Sequence, residues 1–264
     1  MAPDSRRETI ESTTEPTKEP TKESIKFSIL IPAFNEESII VRTVQETIKV
    51  LEDFSPDYEI IIINDGSTDN TASEVADFIG NNSKKVRLEG YFPNQGKGYA
   101  LKYGTGLAGG KYVLFMDADL DLHPSLIIKM YKIMEKSSAD IVIGSKMHKQ
   151  SRLNYPLYRR FLSSSYYFII KVLFRLPIKD TQTGIKLFRN EVLKKCMSKV
   201  TIKKYAYDLE LLLIASRNNY RIFEAPVQLK AKRDKGRIRL KDAATVFTDT
   251  MRVFCRLYFS RRYK

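Results

Sequence analysis

Apolar positions divide the chain into stretches of different character. Residues 1–24 contain almost none; they are mostly Ser, Thr, Pro, Glu and Lys, with a repetitive TEPTKEPTKES run. Such a segment cannot bury enough surface to offset its ordering entropy, so a disordered tail is expected. From Phe27 the pattern changes. Phe27–Ile31 (FSILI) is strand-like, and a helical period follows at Ile40, Val41, Val44, Ile48 and Leu51. Glu36 and Glu37 are expected in the first turn of that helix, where its dipole favours acids. Tyr58–Ile63 (YEIIII) is a continuous apolar run, the mark of a strand buried on both faces. A weaker strand at Val86–Leu88 and a small-residue helix at Gly96–Leu107 come next. A buried strand follows at Tyr112–Met116. A helix opened by Pro124 then places Ile127, Met130, Tyr131 and Met134 on one side, and a strand covers Ile141–Ile143.

Strand and helix alternate throughout residues 25–145. The pattern predicts an α/β fold with a doubly wound, mainly parallel sheet, which binds ligands beyond the carboxyl ends of its strands. The second half is less regular. Tyr158–Leu176 is helical in period, and its later part (YYFIIKVLFRL) is apolar nearly all round. That helix is either buried or set against a membrane or partner. Ala206–Ser216 reads as a helix and Ile222–Leu229 as an edge strand. Leu240–Tyr258 is amphipathic, with Leu240, Ala244, Phe247, Met251, Phe254 and Tyr258 in register. It suits an interfacial helix, or one that docks on its own sheet. The expected organisation is a tail over 1–24, one α/β domain over 25–229, and a basic loop with an amphipathic helix over 230–264.

Composition adds exclusions. Of 264 residues, 43% are hydrophobic and 29% charged, so a wholly disordered chain is excluded. Two cysteines, Cys196 and Cys255, argue against a disulfide framework and for a reducing compartment. Two histidines exclude a poly-histidine metal centre. No signal peptide and no uninterrupted apolar run of spanning length is read. The net charge of +14 is concentrated in Ile141–Lys179 and Lys230–Lys264. Each segment is either a solvated basic face or a surface that meets phosphates.

The candidate chemistry lies at strand ends. Asp117-Ala118-Asp119-Leu120-Asp121 follows a buried strand. Alternating acids there are costly unless a cation sits among them. Oxygen ligands without nearby histidine select a hard ion, Mg²⁺ or Mn²⁺. Pro32-Ala33-Phe34-Asn35-Glu36-Glu37 ends the first strand and Asn64-Asp65-Gly66-Ser67-Thr68-Asp69 the second. In Asn94-Gln95-Gly96-Lys97-Gly98, glycines admit backbone close to a ligand and Lys97 adds charge. Singly, each reads as turn or capping chemistry; in series, they read as a site.

The series IPAFNEE, NDGSTDNT, NQGKGYAL and MDADLDLHP resembles the family 2 glycosyltransferases of the GT-A fold. IVIGSK, YPLYRR, DTQTGIKLF and YAYDLELL resemble the polyprenol-phosphate sugar synthases, with DTQTGIKLF nearer the glucosyl than the mannosyl branch. The QxxRW motif of processive polysaccharide synthases is absent. The resemblance implies that Pro32, Phe34 and Glu36 line a nucleoside pocket, Asp65 holds the base with Lys97 beside it, and Asp117 meets the ribose. It implies a metal on Asp119, helped by Asp121. Arg159 and Ser163 match positions that meet the acceptor phosphate, and Asp208 and Glu210 match acids near the reacting sugar. Lys146 stands where the family has Arg, which leaves a point charge in place of a bidentate clamp. Lys232 or Arg233 would supply a diphosphate contact from a loop that departs from the family sequence.

The expected activity is transfer of a hexose from a nucleotide sugar, UDP-glucose in preference to GDP-mannose, to dolichyl or polyprenyl phosphate. Peripheral attachment to the cytoplasmic face of a membrane is expected, directly or through a membrane-protein subunit, with no nucleic acid as partner. Two other classes make distinct predictions. A nucleotidyltransferase would release pyrophosphate from a triphosphate. A basic nucleic-acid module would bind with steep salt dependence and ignore loss of Asp119.

Overall fold

The computed structural model describes residues 25–82, 85–152, 167–229 and 240–259. In chain order its elements are β1 (Phe27–Ala33), α1 (Ile40–Phe54), β2 (Tyr58–Asp65), α2 (Thr71–Asn82), β3 (Val86–Tyr91), α3 (Lys97–Leu107), β4 (Tyr112–Phe115), α4 (Leu126–Ser137), β5 (Ile141–Ser145), β6 (Lys186–Arg189), α5 (Asn190–Lys199), α6 (Tyr207–Arg217), β7 (Ile222–Pro226) and α7 (Leu240–Tyr258). Residues 167–174 are also helical.

The described strands form one seven-stranded sheet in the order β3-β2-β1-β4-β6-β5-β7. All ladders are parallel except the two made by β6, which runs against β4 and β5. Alternation along each strand sends side chains to two separate cores. Ile61 and Ile63 join α3, α5 and α6 on one face, while Ile60 and Ile62 join α1, α2 and α4 on the other. The YEIIII run is therefore apolar throughout because both faces of β2 are covered.

The sheet opens where the site lies. Leu30 O accepts Met116 N–H, so Leu30 faces β4, and by two-residue alternation Pro32 faces it too. Pro32 has no N–H to extend that ladder. The β1–β4 register ends at Leu30 with Phe115, and the chain beyond β4 turns away as Asp117–Asp121. This is the switch point at which strand order reverses, where α/β sheets form ligand crevices.

Several expectations are corrected. Glu36 and Glu37 precede α1, whose first turn holds no acid. Glu37 instead accepts Asn70 N–H at 2.9 Å, tying the loop after β1 to the start of α2. The Pro124 helix begins two residues later, at Leu126. The amphipathic stripe on α7 is rotated: Thr250, Val253 and Leu257 are buried, while Phe247 and Tyr258 are exposed. Of Tyr158–Leu176, residues 158–166 lie outside the described part, as do 1–24, 153–157 and 230–239.

Candidate active site

The loops after β1 and β2 are knitted by reciprocal hydrogen bonds. Asn35 N–H donates to Ser67 Oγ at 3.1 Å, and Thr68 N–H returns to Asn35 Oδ1 at 2.8 Å. Glu36 N–H donates to Thr71 Oγ1 at 2.8 Å. Asn35 takes a left-handed φ of 57°, a conformation Asn tolerates. This lattice of short polar residues fixes the backbone around the exposed ring of Phe34.

Asp65 closes the next layer. Its carboxylate accepts the N–H groups of Gln95 (2.8 Å) and Gly96 (2.9 Å) and the Asn94 side-chain amide (3.0 Å). Gly66 has φ 68°, and a Cβ there would lie 2.6 Å from Asn94 N. Only glycine lets this turn press on the 93–96 loop. That loop delivers Lys97 at the start of α3.

Lys97 Nζ forms a short ion pair with Asp117 Oδ1, each side chain keeping about a third of its surface open (37% and 36%). Burial alone would push the Asp117 carboxyl up, but Lys97, Lys186 and Lys146 outweigh it and hold it below the ordinary range. Burial likewise opposes the charge on Lys97, yet Asp117, Asp208 and Asp119 keep it firmly protonated. Asp119 differs: burial, and then repulsion from Asp117, push its carboxyl up. The turn is also strained, since Leu120 sits at φ 58° while Asp119 Oδ1 accepts Asp121 N–H at 3.0 Å.

Together these residues line a crevice of about 440 Å³. Pro32, Phe34, Glu36, Asp65, Lys97, Asp117 and Asp119, all among the candidates from the sequence, line it. Asn94, Lys204, Tyr205 and Thr245 join them. Tyr205 opens the YAYDLELL motif, whereas Thr245 on α7 carries no sequence signal and arrives only by helix docking. Acids at the floor, lysines beside them and two exposed aromatic rings, Phe34 and Tyr205, suit a ligand with a π-face and an anionic group.

The other expected residues are placed elsewhere. Lys146 donates its backbone N–H to Asp180 Oδ2 at 2.8 Å and borders a separate cavity of about 50 Å³ with Ile178 and Tyr167. Asp208 is buried behind the crevice, with Lys186 Nζ 2.7 Å from its Oδ1. Glu210 is fully buried and accepts Thr201 N–H (2.8 Å), Ile202 N–H (2.7 Å) and the Thr201 hydroxyl (2.8 Å). Its carboxylate braces the segment that carries Lys204 and Tyr205 and does not line the crevice. Arg159, Ser163, Lys232 and Arg233 lie outside the described residues. No group of three or more His, Cys, Asp or Glu that could hold a metal occurs among the described residues. Asp119 and Asp121 fit an ion that takes one or two carboxylates and completes its shell with substrate phosphate and water. Burial, and then repulsion from Asp117, push the Asp119 carboxyl up, and a cation held there would relieve both.

Residues 28–197 match the family described as Glycosyl transferase family 2. The chain belongs to that family. A dolichyl-phosphate beta-glucosyltransferase of Dictyostelium discoideum is 35% identical over 217 residues, covering 76% of this chain and 65% of that protein. Dolichyl-phosphate beta-glucosyltransferase ALG5A of Trichomonas vaginalis is 31% identical over 235 residues, covering 86% and 72%. The chain thus spans just under two-thirds of the Dictyostelium relative. Among solved structures, glucosyl-3-phosphoglycerate synthase from Mycobacterium tuberculosis, in complex with Mn²⁺, UDP-glucose and phosphoglyceric acid, superposes with a TM-score of 0.66. It is 19% identical and covers 92% of this chain and 81% of its own, a likeness of GT-A-type fold. The family 2 expectation and the doubly wound α/β fold both hold.

Proposed function

We propose that the chain transfers glucose from UDP-glucose to dolichyl or a related polyprenyl phosphate, with inversion at the anomeric carbon. The observation that carries this reading is the acid-floored crevice at the β1–β4 switch point, in a chain similar to dolichyl-phosphate beta-glucosyltransferases. Phe34 and Tyr205 offer faces to the uracil ring. Asp65 holds the loop that presents Lys97, and Lys97 meets the donor diphosphate beside Asp117. Asp119 and Asp121 would hold Mg²⁺ or Mn²⁺, which neutralises charge on the departing diphosphate.

The second pKa of a phosphate monoester is about 6, so the lipid phosphate arrives ionised and needs no strong base. Its oxygen forms the new bond to the anomeric carbon as the bond to UDP breaks, the electron pair leaving with UDP. The protein's work is to bring two anions together. Lys97 and Lys204 border the crevice, and Lys146, Arg159, Ser163, Lys232 and Arg233 would receive the acceptor phosphate.

The lipid reaches the site from a membrane surface. No helix among the described residues is long and apolar enough to cross a membrane. Phe168, Ile169 and Val172 are exposed on the helical residues 167–174, and Tyr258 Oη on α7 donates to Leu173 O of that segment at 2.7 Å. With Phe259, these side chains supply an apolar surface next to two basic segments, which suits peripheral binding at the cytoplasmic face, alone or with a membrane-protein subunit.

The test uses labelled UDP-glucose and GDP-mannose, each with phosphorylated polyprenol, with and without EDTA. Glucosyl transfer abolished by EDTA is expected, as is loss of about hundredfold or more in kcat for Asp119→Asn. Mannosyl transfer, or full activity of folded Asp119→Asn in chelator, overturns the reading.

A further inference from the structure

We propose that Lys186 is a positioning residue for the donor crevice, acting through Asp208 on Lys97 and Asp117. It rests on the reading of that crevice as a nucleoside-diphosphate site.

Lys186 opens β6, the one described strand that runs against the rest of the sheet. The reversal matters. A strand of opposite sense begins at the edge where the parallel strands end, so Gly184 and Lys186 enter directly behind the acidic turn. Gly184 packs against the Asp117 carboxylate. Two residues on, the Lys186 side chain is 1% exposed, lies 2.7 Å from Asp208 Oδ1 and donates to Thr183 O at 2.5 Å. Asp208, in the first turn of α6, is itself only 7% exposed.

A lysine is almost never buried this far without a partner. Burying the pair brings little net stability, because an apolar pair of the same volume serves a core as well or better. The arrangement around the pair points to another use. The pair adjoins the crevice wall at two close packings: Tyr207, next to Asp208, lies against Gly98, next to Lys97, and Gly184, two residues before Lys186, lies against Asp117; Asp208 also favours the charge on Lys97. Lys97 and Asp117 are themselves paired at the crevice wall. From interior to crevice, basic and acidic side chains therefore alternate as Lys186, Asp208, Lys97, Asp117, and burial pushes the Asp208 carboxyl up against the pull of Lys186 and Lys97. Neither Lys186 nor Asp208 lines the crevice, so neither touches a ligand there, whereas Lys97 and Asp117 do line it. With Lys186 gone, Asp208 either stays charged and draws Lys97 from Asp117, or takes up a proton and ceases to hold Lys97. Both outcomes shift the cation that meets a diphosphate.

Four proteins test this: wild type, Lys186→Met, Asp208→Asn, and the double variant. Thermal melting follows the fold, and calorimetric titration with UDP in the presence of Mn²⁺ follows the crevice. Lys186→Met leaves a buried charge uncompensated and should melt lowest; the double variant should melt higher. All three variants should bind UDP about tenfold to hundredfold more weakly, by one common factor, because removing either partner breaks the same link. If the double variant regains wild-type UDP affinity along with its melting temperature, the pair serves only packing and the assignment falls. Unchanged affinity in the variants, or losses that multiply in the double variant, overturn it equally. Should Lys186→Met fail to fold, Asp208→Asn and the double variant decide: equal weakening supports the assignment, and wild-type affinity in the double variant refutes it. Wild-type protein that binds no UDP overturns the nucleotide site and this assignment together. UDP binding without transfer to polyprenyl phosphate fails the acceptor reading alone.

Discussion

A Cβ added at Gly184 would lie 1.9 Å from Asp117 Oδ2 and 2.4 Å from its Cγ. The carboxylate that pairs with Lys97 therefore rests directly on a glycine backbone. Gly184→Ala should push Asp117 off Lys97 and weaken UDP binding about tenfold or more. It should also cost about 1–3 kcal/mol of stability, as overpacking does, read as a lowered urea midpoint at unchanged slope. Unaltered UDP affinity in the folded variant would show that Asp117 does not need this seat. At this scale the acids were legible and their uses only partly so. Asp65, Asp117 and Asp119 stand out because carboxylates at strand ends need a cation or donors. That Asp65 spends its oxygens on the N–H groups of Gln95 and Gly96 depends on a loop 30 residues away in sequence. Glu210, adjacent in pattern to Asp208, points elsewhere because residues two apart on a helix do not share a face.

Elements bring these residues together, and one of them left no periodic signal. β6 has only the four residues Lys186–Arg189, one of them a buried lysine, so it shows neither alternation nor a clean apolar run. It is found from the sequence only as the motif DTQTGIKLF. Asp180 organises that motif, accepting the Thr183 hydroxyl at 2.5 Å and Gln182 N–H at 3.1 Å. The C-terminal helix is the second element decided by contacts. Arg256 reaches the Thr201 hydroxyl and Glu210 Oε1, the latter at 3.4 Å, and Val253 and Leu257 enter the core beside α6. Arg256→Ala removes a charged partner from a fully buried carboxylate. Its expected cost is about 1–3 kcal/mol, measured by urea unfolding. Because this docking also places Thr245 in the crevice wall, UDP affinity should fall with it. A variant of wild-type stability would mean that α7 is held by its apolar contacts alone.

For the whole molecule, basic segments and exposed apolar side chains act together. Phe168, Phe247 and Phe259 are 66%, 57% and 80% exposed, so replacing all three by Ser removes little from the core. The triple variant should keep its melting temperature and its UDP affinity while losing most cosedimentation with anionic phospholipid vesicles. Removal of residues from 240 onward should reduce vesicle binding as well. Wild-type binding should weaken as salt rises, since the basic contribution is screened over about 8–10 Å. Vesicle binding that survives the triple substitution would move the membrane-facing surface elsewhere.

The sequence alone determined the alternation of strand and helix from Phe27 to Ser145, the two-faced burial of β2 and the acidic ends of three strands. Each is a local or periodic property, written into neighbouring residues. Tertiary structure decided the reversed seating of β6, the rotation of α7, the engagement of Asp65 and Glu210, and the buried partnership of Lys186 with Asp208. These depend on which distant segments meet, and a single chain pattern carries no term for the cost of leaving a charge unpaired across 22 residues.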